Sequence, residues 1–155
     1  MNMKKKFATP KSPKEAFAEA KALYENARET LKKSPVEFDA YKKPKYVKEA
    51  SAMAYLAALR AIDGYLLSMG TLPDKLPTSI IEYEKALRRI PKNGKLMVAL
   101  EIAYQNLYIF GYYRGGIGVK MIKEGFSKAK FIIDTLSNKL TGSNSRSGLE
   151  ILEVK

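Results

Sequence analysis

Seven apolar residues late in the sequence, Val119, Ile122, Phe126, Ala129, Ile133, Leu136 and Leu140, follow one another at spacings of 3, 4, 3, 4, 3 and 4. An α-helix completes a turn in about 3.6 residues, so this alternation draws a nearly straight apolar seam along one side of a helix. Such a seam requires other helices to cover it, as in bundles whose helices cross at about +20°. No segment alternates apolar and polar residues over the length of a strand, so the chain is predicted to be all-α.

Upstream segments supply the partners. Ser12-Pro13-Lys14-Glu15 reads as a helix start, with an N-cap serine, a proline at the first helical position and a glutamate placed for a capping box. From there to about Lys33 the residues Ala16, Ala20, Leu23, Ala27 and Leu31 share a face, joined by Phe17 and Tyr24, and Ser34-Pro35 ends the run. Val36 to Lys45 reads as a loop. A second helix, Tyr46 to Met69, has Ala50, Ala54, Ala57, Ala58 and Ala61 interleaved with larger apolar residues, which suits a central helix approached closely by its neighbours; Gly70 is its expected C′ residue. A second capping box, Ser79-Ile80-Ile81-Glu82, opens a short third helix that stops at Pro91. The fourth, Lys95 to Gly111, should bury Leu96, Ala99, Ala103, Leu107 and Phe110 and carry a separate stripe of Glu101, Gln105, Tyr108 and Tyr112. The reading is a single antiparallel helical bundle of four to five helices over residues 12–140, with a flexible basic segment before it (1–11) and a flexible tail after it (141–155).

The chain has 155 residues, 46% of them apolar and 28% charged, which fits one globular domain. It contains no cysteine, so disulfides, thiolate metal sites and a cysteine nucleophile are excluded. It contains no histidine either, which removes the usual general base near neutral pH and the commonest metal ligand. MNMKKKFATPKSP has basic residues but no apolar run behind them, and Leu96 to Tyr113 is interrupted by Glu101, Gln105 and Asn106. A cytoplasmic protein without a membrane segment is therefore expected.

The stretch GYYRGGIGVK, Gly111 to Lys120, concentrates four glycines, two tyrosines and two cations. A phosphate-binding loop needs a strand before it and a Gly-Lys-Ser/Thr run opening the next helix, and neither is present. A corner between two helices, with Gly115, Gly116 and Gly118 supplying positive φ and close packing, fits better. Among the ionisable groups, Arg60, Asp63 and Glu101 stand out because each interrupts an otherwise apolar helix, and a structural ion pair accounts for them more simply than catalysis. No catalytic set, metal site or cofactor is implied.

The formal net charge is +12, spread along the chain. Spread cations usually make a solvated surface, although aromatics lie among them at Tyr41-Lys42-Lys43 and Lys45-Tyr46, and again at Tyr108 to Arg114. Tyrosine stacking beside phosphate-binding cations is one way to hold single strands, but no helix-turn-helix, RNP or zinc-finger signature accompanies it. The candidate binding residues are Tyr108, Tyr112, Tyr113, Arg114, Lys120 and Lys123.

Tyr83-Glu-Lys-Ala-Leu-Arg-Arg-Ile-Pro91 resembles the second helix of a tetratricopeptide repeat, over barely one repeat. The order of an alanine-rich helix, a tyrosine-rich helix ending at Arg114 and a basic amphipathic helix is similar to HEPN-type bundles. Many of those carry an arginine and a nearby histidine that cut RNA. Arg114 falls on the motif arginine, whereas Val119, Lys120 and Met121 occupy the places of the histidine, so the resemblance implies a relative without nuclease activity. Around AYLAALRAIDGYLL and YQNLYIFGYYRGG the chain also resembles a small uncharacterised family of helical proteins from Bacteroidales, which implies a bundle and no activity. The expected role is a non-catalytic module that binds an unknown protein partner or forms a homo-oligomer. The alternative is a HEPN-like binder of RNA or nucleotide through the basic surface.

Overall fold

A computed structural model describes residues 9–147, with side chains described as far as residue 140. The flexible segments expected at 1–11 and 141–155 fall largely outside the described residues. The elements are α1 (Pro13–Leu31), a two-stranded hairpin β1 (Val36–Glu37) and β2 (Ala40–Tyr41), α2 (Pro44–Ser68), α3 (Ile80–Arg88), α4 (Gly94–Ala103) and α5 (Val119–Ser147). A short 3₁₀ turn, Pro73–Lys75, lies between α2 and α3, and a π-helical segment, Tyr104–Tyr113, continues α4. The fold is an all-α bundle.

Local chemistry sets several helix ends. Ser12 Oγ accepts from the Glu15 N–H at 3.1 Å, and Ser79 Oγ accepts from the Glu82 N–H at 3.2 Å. In both cases the returning glutamate bonds the N–H one residue ahead of the cap, Lys11 at 3.1 Å and Thr78 at 2.8 Å. Either way two N–H groups that a helix start leaves unpaired are satisfied. At the end of α2, Gly70 takes φ +103°, which lets Thr71 N–H reach Leu66 O and Gly70 N–H reach Leu67 O, the Schellman pattern. α2 starts earlier than expected because Pro44 occupies its first turn, where a missing N–H costs nothing.

α2 is the hub and touches every other helix. Ala50, Ala54, Ala57, Ala58 and Ala61 are fully buried, as are Ala16, Ala20 and Ala27 of α1, so the two helices meet through small side chains. On α5 the buried set is broader than the expected seam. Ile122, Phe126, Ala129, Ile133 and Leu136 are joined by Ile132, because α1, α2, α4 and the π segment all cover this helix rather than one partner. α5 runs on past Leu140, where the heptad spacing stops, to Ser147.

The segment expected to be a plain loop contains the hairpin. Val36 pairs with Tyr41 and Glu37 with Ala40, and the two residues at the tip, Phe38 and Asp39, take φ of 54° and 61°. Two left-handed residues in a two-residue loop match the twist of the flanking strands. The hairpin also docks onto the glycine corner: Ala40 bridges Gly118, Tyr41 N–H donates to Ile117 O at 2.9 Å, and Val119 N–H donates to Asp39 O at 3.0 Å.

Candidate interaction site

From Tyr104 to Tyr113 the helix is π rather than α. The register shows at its end, where Arg114 N–H donates to Ile109 O at 2.8 Å. Wide turns of this kind are usually single bulges, often at functional sites, so a segment of 10 residues needs tertiary support. Three contacts supply it. Asn106 Nδ2 donates to Met121 O of α5 at 2.9 Å, Leu107 packs against Gly125, and Gly111 lies so close to Ser51 and Ile122 that a Cβ there would strike both.

The π register changes which residues line up. A turn closed by i to i+5 bonds holds more residues than an α turn, so a straight row advances by four or five instead of alternating three and four. The expected stripe through Gln105 is therefore replaced by Tyr104, Tyr108 and Tyr112. Their ring centroids are 5.7 and 5.9 Å apart with interplanar angles of 23° and 24°. Tyr55 of α2 closes the stack at 5.3 Å from Tyr108 and 6.1 Å from Tyr104. Gln105 lies apart on the surface, where its amide donates to Glu101 at 3.3 Å. Burial, followed by the neighbouring Tyr104, Tyr108 and Glu84, pushes the Tyr55 hydroxyl above its ordinary pKa, so the base of the ladder stays neutral.

Exposure rises outward through the stack. Tyr55 is 9% exposed, Tyr108 38% and Tyr112 42%, and Tyr113, beside the stack, is 63% exposed at the corner. At that corner the Arg114 guanidinium sits 5.0 Å from the Tyr113 ring centroid. Gly115 takes φ +69° there, and a Cβ at Gly116 would strike the Phe110 ring. Three nearby N–H groups are committed internally, Arg114 to Ile109 O, Gly116 to Phe110 O and Val119 to Asp39 O. They are not free to cradle a phosphate, which agrees with the reading of this stretch as a helix corner.

The six candidate residues thus occupy three places. Tyr108 and Tyr112 form one stack, Tyr113 and Arg114 form a second pair beside it, and Lys120 is exposed on the first turn of α5. Lys123 lines a groove against α1 and the hairpin that none of the other five lines. The other basic-aromatic stretch is divided too: Tyr41 is buried, whereas the Tyr46 ring lies 5.3 Å from the Lys45 ammonium and 5.7 Å from that of Lys33. Sequence reasoning missed Tyr55 and Tyr104, and the available signal was the even spacing of Tyr104, Tyr108 and Tyr112, which keeps three tyrosines near one face of a helix.

Of the ionisable groups that interrupt apolar helices, Arg60 and Asp63 pair at 3.0 Å. Arg60 Nε also lies 3.2 Å from Glu19 Oε1, as an ion pair rather than an aligned hydrogen bond. Glu101 is exposed. Among the described residues, no group of three or more carboxylates converges as a metal site. No described helix is long and apolar enough to cross a membrane.

Comparison with known proteins adds a family and no activity. The model of a family described as "Domain of unknown function (DUF5618)" matches residues 15–138. A solved protein of unknown function from Dyadobacter fermentans is similar at 29% identity and a TM-score of 0.70, over 83% of this chain and 98% of that one. None of the curated proteins matches.

Proposed function

Given that the chain belongs to the DUF5618 family of domains of unknown function, we propose from its own geometry that it is a non-catalytic protein-interaction module. The contact surface is the outer end of the tyrosine ladder. The observation that carries this reading is the stack Tyr104–Tyr108–Tyr112, carried on the π segment and open at its outer end. Stacked tyrosines offer a large contact area with few rotatable bonds and hydroxyls able to bond at a wet rim, a composition favoured in protein interfaces. A second copy of the chain is one partner of this kind. The lack of cysteine and histidine fits a cytoplasmic binding protein better than an enzyme.

Sedimentation velocity into the high-micromolar range tests self-association, and a photo-crosslinking amino acid at Tyr112 in cells tests other partners. The same probe at Ile81, 60% exposed on α3, serves as control. Concentration-dependent assembly, or protein crosslinks at position 112 beyond those at 81, supports the reading when Tyr108→Ala removes it in a folded chain. A monomer with no crosslinks beyond the control overturns it.

A HEPN-like binder of RNA or nucleotide is the second reading, favoured by the +12 charge and the exposed Tyr113–Arg114 pair. It requires single-stranded RNA affinity that falls on Arg114→Ala/Lys120→Ala beyond what salt alone removes, because a steep salt dependence by itself reports only net charge.

A further inference from the structure

A groove of about 510 Å³ opens between the C-terminal half of α1, the hairpin and the early turns of α5. That volume lies within the range of small-molecule sites, roughly 300–1,000 Å³. One wall is aromatic: the Tyr24 and Phe126 rings sit 5.8 Å apart, and the Tyr24 hydroxyl donates to Phe126 O at 3.2 Å, which fixes the ring from α1 against α5. Arg28 comes from the last turn of α1, Lys32 from its C-cap, and Lys123 from α5. No aspartate or glutamate lines the groove. Arg28 is held by Glu25 at 3.1 Å and Lys32 lies 3.8 Å from Glu29, while Lys123 has no carboxylate partner among the described residues.

A second observation is independent of the charges. Tyr41 lines the same groove, is 4% exposed, and its buried hydroxyl has no hydrogen-bond partner. Buried hydroxyls are nearly always bonded, so an unbonded one lying behind the surface of a groove-lining residue is a place for a polar group from outside the chain once the Tyr41 ring shifts to admit it.

We propose that this groove binds a small aromatic phosphate of mononucleotide size. The phosphate lies among Arg28, Lys32 and Lys123, and the ring rests on Tyr24 and Phe126 with a polar atom toward Tyr41. Cations reaching in from two helices match a doubly charged phosphate better than a single carboxylate, and the volume exceeds what inorganic phosphate alone would fill. This site lies beyond the interaction surface proposed above and shares no residue with the ladder.

Amide chemical shifts of the whole chain, titrated with AMP, adenosine and inorganic phosphate, test it. AMP should move resonances of residues 24–41 and 123–127 and bind roughly tenfold more tightly than either fragment. Lys123→Glu should abolish this, and Tyr41→Phe should weaken it severalfold. Lys120→Glu, with the same charge change one turn away, and Tyr112→Ala, at the ladder, should leave it intact. AMP binding no better than phosphate, equal losses for Lys123→Glu and Lys120→Glu, full AMP affinity in Tyr41→Phe, or shifts confined to the tyrosine ladder would each overturn the proposal. The Tyr112→Ala arm keeps its failure separate from that of the interaction reading.

Discussion

The Tyr83 hydroxyl donates to Asp63 Oδ1 at 2.8 Å, joining α3 to the C-terminal part of α2. Asp63 is 2% exposed and also accepts from Arg60 at 3.0 Å, and Arg60 in turn faces Glu19 of α1. The Asp63 carboxylate, with Arg60 beside it, therefore links three helices, and it is the one buried charged side chain among the described residues.

Burial pushes the Asp63 pKa up from 3.8 to about 6, with Glu19 adding to the rise, although the Tyr83 hydrogen bond and Arg60 pull it back. A raised folded pKa means that the native state holds the proton more tightly than the unfolded chain. The stability this contributes is complete below about pH 4 and is lost as pH rises through about 6. Between those limits it amounts to something on the order of 2–3 kcal/mol. Thermal unfolding of wild type and Asp63→Asn from pH 4 to 7 should show wild type gaining on the variant as pH falls. A difference that is flat with pH, or that grows toward neutral pH, contradicts this account.

Gly111 carries a different kind of constraint. A side chain there strikes Ser51 and Ile122, so Gly111→Ala should destabilise by about 1–3 kcal/mol and disturb the π register. Gly94, at the start of α4, has open space around it, and Gly94→Ala should be neutral or stabilising by up to about 1 kcal/mol. Urea denaturation of the pair decides the matter: equal costs would mean that helix packing is not what requires glycine at 111.

At the hairpin tip Phe38 is 93% exposed with φ of 54°. Left-handed backbone costs a residue with a Cβ about 1–2 kcal/mol, and asparagine tolerates it better. Phe38→Asn loses no buried contact and should raise the urea midpoint by an amount equivalent to about 0.5–1 kcal/mol. A lowered midpoint would show that the phenyl ring contributes to the native state.

The helix starts were legible because their causes are local. Ser12 and Ser79 bond N–H groups three residues away, and those bonds need nothing from the rest of the chain. Gly70 behaves in the same way, since its left-handed φ serves carbonyls of its own helix. The hairpin was not legible. Phe38-Asp39 is a poor sequence signal for a tight turn, and part of what holds it lies across the chain at Ile117, Gly118 and Val119.

The apolar spacing of α5, the alanines of α2 and the two capping boxes determined an all-α bundle and where α1 and α3 begin. Short-range bonds and a 3.6-residue period carry that information without reference to the fold. Only the tertiary structure decided the π register of Tyr104–Tyr113, because it depends on Gly111 meeting Ser51 and Asn106 reaching Met121. Tyr55 of α2 joins the tyrosine ladder only through the packing of α2 against that segment, and the separation of Lys123 from Arg114 follows from how α1 and the hairpin cover α5. Both depend on contacts between residues far apart in the chain, which no local pattern encodes.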